Sequence, residues 1–167
     1  DKSLTLFRQL DQPLGVAEAL RTGGWVEYAL QAYPRASAMF EESIALFRQN
    51  GHQERTAAAL LSAAQVRTML GDARDLSIVR RYLQESLAIY RDLAQADGIA
   101  AVLNGQGMVE LMAGNYAKAV DLYTEALQLC RALGDKRNIP LTLNVLGEAE
   151  WLQGDVAAAR VHWQEGY

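Results

Sequence analysis

Residues 98–137 read GIAAVLNGQGMVELMAGNYAKAVDLYTEALQLCRALGDKR, and the chain writes this stretch a second time. Moved forward by forty residues, Ile99, Leu103, Asn104, Gly107, Glu110, Gly114, Ala117, Ala119 and Glu125 meet Ile139, Leu143, Asn144, Gly147, Glu150, Gly154, Ala157, Ala159 and Glu165. Tyr123 meets Trp163, so a large aromatic stands at the same place in both copies. Self-similarity at a fixed period marks an array in which each unit buries its apolar face only against its neighbours.

Working outward, SLTLFRQ at 3–9 is echoed by SIALFRQ at 43–49, and ESLAIYR at 85–91 by EALQLCR at 125–131. The first dozen residues therefore read as the second helix of a repeat whose first helix is missing. The expected organisation is one array fragment over 1–167: a truncated unit at 1–12, full repeats at 13–52, 53–95 and 96–135, and a shortened last repeat at 136–167. Each repeat holds two helices. Ala119, Leu122, Tyr123, Ala126, Leu127 and Cys130 form one apolar stripe at helical spacing, and Asp97 to Ala113 is its partner. Gly71-Asp72, Gly114-Asn115 and Gly154-Asp155 mark the turns within repeats, with Gly51 and Gly134-Asp135 between them. Glycine accepts the left-handed conformation that ends one helix, and Asp or Asn can cap the next. Pro13, Pro34 and Pro140 fit first helical turns. Nine helices are predicted, at about 1–11, 13–30, 34–49, 53–70, 74–94, 97–113, 116–133, 136–152 and 155–167. The second repeat carries three extra residues after Gly71, read as a solvated extension over the charged run Asp72 to Asp75.

Composition narrows the function. Half of the 167 residues are hydrophobic and 22% charged, as in a globular chain. A formal net charge of −4 argues against nucleic acid as a partner, because that binding is driven by Lys and Arg neutralising phosphates. No apolar stretch approaches membrane-spanning length. Cys130 is the single cysteine, which excludes an internal disulfide and fits a reducing, cytoplasmic setting.

The pattern resembles the tetratricopeptide repeat, a helix–turn–helix unit with small residues and aromatics at set places. Leu103, Gly107, Gly114-Asn115-Tyr116, Ala119, Tyr123 and Ala126 carry the resemblance in one repeat. Leu143, Leu146-Gly147, Gly154-Asp155, Ala159 and Trp163 carry it in the last, and Leu20, Gly24, Tyr33, Ala36 and Phe40 in the first. The second repeat is degenerate, with Leu60, Ala64, Gly71, Val79 and Leu83. A period of forty rather than thirty-four is similar to the long repeats of kinesin light chains, Leu-Gly-Asn-type scaffolds and large bacterial regulators. The resemblance implies an all-α, right-handed α-solenoid whose first helices line a concave face.

By repeat position that face would hold Arg21, Trp25, Tyr28, Gln65, Asn104, Met108, Leu111, Met112, Asn144, Glu148 and Trp151. Such an apolar floor with a few hydrogen-bonding groups suits an amphipathic helix or an extended peptide, and adaptable Met beside aromatic anchors is typical of interfaces. Asn104 and Asn144 would pair with a ligand backbone or with a neighbouring helix. Only Arg21 matches the family's clamp for C-terminal carboxylates, which argues against that mode. Glu27, Arg67, Glu110 and Glu150 share one register position and are expected to stack as a ladder of charges. No metal cluster, nucleophile triad or phosphate loop can be assembled, so no cofactor and no enzymatic activity are expected. The leading expectation is a non-catalytic scaffold for a protein or peptide with an apolar face. The alternatives are an effector-sensing domain of a bacterial signal-transduction ATPase or transcriptional regulator, and a spacer that self-associates through uncapped array ends.

Overall fold

A computed structural model of the chain describes residues 2–70 and 76–166. The described residues are all helical or turn, with no strand, and they fall into two compact units, Asp1–Ile89 and Tyr90–Tyr167. The first unit contains α1 (Lys2–Gln9), α2 (Pro13–Ala29), α3 (Tyr33–Gln49), α4 (Gln53–Leu70) and most of α5 (Leu76–Asp92). The second contains the end of α5, then α6 (Ala96–Met112), α7 (Tyr116–Leu133), α8 (Asn138–Gln153) and α9 (Val156–Gly166). In the first unit α1 packs on α2, α2 on α3 and α3 on α4; in the second α6 packs on α7, α7 on α8 and α8 on α9. Helices adjacent in sequence are adjacent in space, the sequential arrangement of an α-solenoid. The even-numbered helices are the first of each repeat and are called A helices below; the odd-numbered ones are B helices. The expected Gly71-Asp72 turn, the charged run and the start of the fifth helix at 74 lie outside the described residues.

What reverses the chain so quickly is a shared helix ending. Asp11, Gln31, Gly51, Ala94, Gly114, Gly134 and Gly154 all have φ between 49° and 100°. At each, two hydrogen bonds close the helix: at Gly134, for example, its own N–H reaches the Arg131 carbonyl at 3.1 Å and the Asp135 N–H reaches Cys130 at 2.9 Å. This is the Schellman pairing, which satisfies carbonyls left over at a helix end. The residue after the left-handed one already opens the next helix through its own carbonyl, as Asp135 does by accepting from the Ile139 N–H at 3.0 Å. Within each described run these endings fall twenty residues apart, so the forty-residue period is built of two equal halves. Side-chain capping is narrower than expected. Asp135 and Asp155 do accept first-turn N–H groups, but Asn115 turns its amide to Glu110 instead, at 2.7 Å.

The crossings within repeats depend on missing side chains. A Cβ at Gly107 would lie 2.5 Å from the Tyr123 ring, one at Gly147 2.6 Å from the Trp163 indole, and one at Gly24 2.9 Å from Phe40. Each pairs an A-helix glycine with a B-helix aromatic of its own repeat. Gly15 and Gly98 do the same for Phe7 and Tyr90 of the preceding B helix. In the degenerate repeat the corresponding positions hold Ala64 and Leu83, both buried. A larger A-helix residue is matched there by a smaller B-helix one. Hydroxyls add a second tie: Ser43 Oγ donates to the Ala17 carbonyl and Ser86 Oγ to the Ala57 carbonyl, both at 2.9 Å.

The position shared by Glu27, Arg67, Glu110 and Glu150 finds partners on the B helices. Glu27 pairs with Arg35 at 3.0 Å, Glu110 with Lys118 at 3.1 Å, Glu150 with His162 at 2.7 Å and Arg67 with Glu41. These partners all sit on an adjoining B helix. The physical reason is geometric: the position falls at the end of an A helix, where the turn brings the neighbouring B helix alongside. A repeat-to-repeat series runs along the B helices, where Arg8 meets Glu42, Arg48 meets Glu85 and Arg131 meets Glu165. Each joins one B helix to the next at the same register.

Candidate functional site

In the first unit the A-helix residues singled out by register are mostly engaged. Arg21 is half-buried, and its Nε donates to Glu18 at 3.0 Å while Glu18 also meets Arg55 at 3.0 Å. Trp25 stands edge-on to Tyr28 and to Phe40, both at 5.5 Å between ring centroids, and Tyr28 lies 5.6 Å from Tyr33. Trp25 and Tyr28 are packed against the cluster of Ala17, Ala36, Phe40 and Ala59. They are helix-packing aromatics with one edge outward. Gln65 on α4 is exposed.

The second unit presents a different picture. Asn104 donates its Nδ2 to Thr142 Oγ1 on α8 at 3.0 Å, and its Oδ1 is buried without a hydrogen-bond partner. Met108 and Leu111 are half-buried, with Leu111 against the α7–α8 core, while Met112 is 52% exposed. On α8, Asn144 and Glu148 are exposed, Trp151 is 54% exposed and Leu141 62%, with Leu152 also outward. Positions 141, 144, 148 and 151 fall on one helical face. The two asparagines are therefore unlike: the Asn104 amide is tied to a neighbouring helix, whereas Asn144 is exposed and its backbone carbonyl takes the Trp163 indole N–H at 3.2 Å.

Thr142 escaped the sequence reading. It is fully buried, accepts from Asn104, and is hydrogen-bonded to the Cys130 thiol. Burial pushes the Cys130 thiol above its ordinary range, with the Thr142 bond pulling against it. The available signal was a hydroxyl at a register position that holds Ala59 and Val102 elsewhere. Burial, with the Glu148 charge added, likewise raises the Tyr123 hydroxyl well above its usual range, and that hydroxyl has no hydrogen-bond partner. In both, burial disfavours the charged form. Among the described residues no three His, Cys, Asp or Glu side chains gather to hold a metal, and no helix is long and apolar enough to cross a membrane. A depression of about 600 Å³ opens beside the α6–α7 turn, lined by Gly114 to Lys118 and by Gln153 at the end of α8.

Glycine–aromatic crossings between short-turned helix pairs are the geometry, and the sequence comparison supplies the family. The tetratricopeptide repeat family matches residues 80–132 and, in overlapping register, 98–167, which together are more than half of the chain. The chain belongs to the tetratricopeptide repeat family. No curated protein matches its sequence. Among solved structures this repeat protein is similar to BtubC (BKLC) from P. vanneervenii, with a TM-score of 0.80 and 18% identity over 92% of the chain. It is similar to the apo form of RapI, with a TM-score of 0.80 and 17% identity over 96% of the chain. The chain spans 63% of BtubC and 44% of RapI. At such identities the likeness is one of fold. Tetratricopeptide repeats in general mediate protein–protein interactions and form non-catalytic scaffolds, which is the frame for the α8 row.

Proposed function

We propose that the chain is a non-catalytic, cytoplasmic binding module of the long-repeat type, which holds a protein or peptide with an apolar face on its A helices. The observation that carries this reading is the α8 row: Leu141, Asn144, Glu148 and Trp151 share one exposed face. An exposed Trp flanked by aliphatic side chains is the usual anchor for a docked helix or peptide. Asn144 offers a donor and an acceptor to a ligand backbone, and Glu148 favours a partner with a basic residue nearby. Arg21 and Asn104, engaged with Glu18 and Thr142, weigh against the effector-sensing reading, which needs polar groups converging on a small molecule.

The test is a peptide library selected on the immobilised chain, with the selected peptides then titrated against variants. Trp151→Ala is expected to weaken binding by about 2 kcal/mol, roughly thirtyfold, while Gln128→Ala on the exposed side of α7 leaves it unchanged. Peptides that respond to Gln128 and ignore Trp151 would defeat the reading. Trp25→Ala is a poor probe, because Trp25 packs against the core and its loss would lower stability.

A further inference from the structure

Asparagine is followed by glycine at Asn50-Gly51 and at Asn104-Gly105, and the fold places the two pairs in opposite settings. The pairing matters chemically because glycine has no side chain to shield its backbone nitrogen, which can then reach the side-chain carbonyl carbon of the residue before it. Asn104-Gly105 lies inside α6, where peptide N–H groups are bonded along the helix. The Asn104 amide is also tied to Thr142 Oγ1 at 3.0 Å, and its Oδ1 is buried. Asn50 instead ends α3 and is exposed, at a place where the other B helices carry Leu10, Leu93 and Leu133. Gly51 follows with φ of 70°, and nothing lies within 4 Å of where a side chain would begin. Hydrogen bonds hold this ending together. Asn50 Nδ2 donates to the Leu46 carbonyl at 2.8 Å, the Gly51 N–H to Arg48 at 3.1 Å and the His52 N–H to Phe47 at 3.0 Å. All of them close the last turn of a helix, and helix ends open far more readily than helix interiors.

We infer that Asn50 is a site of spontaneous deamidation, whose products unfasten the turn between α3 and α4. When the end of α3 opens, the Gly51 nitrogen gives up its proton to hydroxide and attacks Cγ of Asn50. A bond forms between that nitrogen and Cγ, the bond from Cγ to Nδ2 breaks, and Nδ2 leaves as ammonia with a proton from water. The product is a five-membered succinimide. Water then adds to one of its two carbonyls. Opening at Cγ gives aspartate, and opening at the backbone carbonyl gives isoaspartate, in which the main chain runs through the side chain. Either product disturbs the ending. A carboxylate has no N–H to donate to Leu46, and its charge lies at the negative end of the helix dipole. Isoaspartate adds a carbon to the main chain, so the Gly51 and His52 N–H groups fall out of step with Arg48 and Phe47.

Storage of the chain in warm buffer at neutral pH, with peptide mapping by mass spectrometry at intervals, tests this. Amide-to-acid conversion is expected in the peptide containing Asn50 at least about tenfold faster than in the one containing Asn104. In denaturing urea the two peptides are expected to convert at similar rates, which assigns the native difference to the fold. Asn50→Gln is expected to abolish the conversion at that peptide, because the longer side chain would have to close a six-membered ring, which forms more slowly. Asn50→Asp, the simpler of the two products, is expected to lower the urea midpoint. Conversion at Asn104 that keeps pace with Asn50 in native buffer, or conversion at Asn50 in urea alone, would overturn the assignment of the site. An Asn50→Asp chain as stable as the parent would overturn the effect on the turn.

Discussion

Helix crossings and helix ends both use glycine here, for opposite reasons. At Gly107 the backbone is ordinary helix and space is the constraint: a single added carbon would meet the Tyr123 ring at 2.5 Å. At Gly134 nothing lies within 4 Å of where a side chain would begin, and the constraint is φ of 65°. One site is full and the other is twisted. The crossing therefore belongs to a pair of residues that can trade volume, while the end belongs to one residue that can only be more or less comfortable.

That contrast is open to graded attack. The largest effect is expected at the crossing, where Gly107→Leu forces the α6–α7 pair apart and should cost about 3 kcal/mol, read as the midpoint shift in urea denaturation. A melt matching the parent would mean the glycine is not packed as described. The next test exploits the trade of volume seen at Ala64 and Leu83. Gly107→Ala and Tyr123→Leu should each destabilise by about 1–3 kcal/mol, and the double variant should recover at least about 1 kcal/mol of their sum. Strict additivity would show that the two positions do not share one space. At the helix ends the sign reverses. Gln31 and Ala94 adopt φ of 59° and 52° without being glycine, so Gln31→Gly and Ala94→Gly should each raise stability by about 0.5–1 kcal/mol. A loss would show that these side chains hold contacts worth more than the strain.

The B-helix ion pairs should matter least. Arg131 and Glu165 are nearly half-exposed, and Arg131→Ala is expected to change thermal stability by under about 0.5 kcal/mol. The cap at Asp135 offers a pH counterpart. Hydrogen bonds from the Asn138 side chain and backbone hold its carboxyl below the usual range. Its contribution is then present above the unfolded carboxylate pKa and fades as pH falls through the lower folded value. Asp135→Asn should flatten the acid limb of a stability–pH curve and leave the neutral region alone. An unchanged acid limb would show that the charge is not what caps the helix.

Much of this was legible before any coordinates. Gly107 with Tyr123 and Gly147 with Trp163 stand sixteen residues apart in each copy, and that spacing forecasts both the hairpin and its crossing. The helix ends were half visible. Gly51, Gly114, Gly134 and Gly154 announce themselves, but Asp11, Gln31 and Ala94 adopt the same backbone with residues that carry no such signal, so the twenty-residue half-period stayed hidden. The B-helix partners of Glu27, Arg67, Glu110 and Glu150 were not foreseen, because register shows which residues are equivalent but not which neighbours they reach. The candidate site was blurred for a related reason. Tyr28, Leu111 and Trp151 are equivalent in sequence, yet two are packed against a core and the third is open. Tyr28 and Leu111 share core clusters with residues of the following A helix, and register alone does not show which copy has that neighbour.

The two-bond helix endings bear on mechanics. A turn in which one helix closes and the next opens within about three residues leaves no slack chain to absorb displacement. Inside each unit, a load applied to one helix is transmitted to the next through hydrogen-bonded backbone, so a hairpin resists as a stiff leaf spring does, bending a little along its whole length. Stretched from its ends in an optical trap, such a unit should yield in hairpin-sized steps.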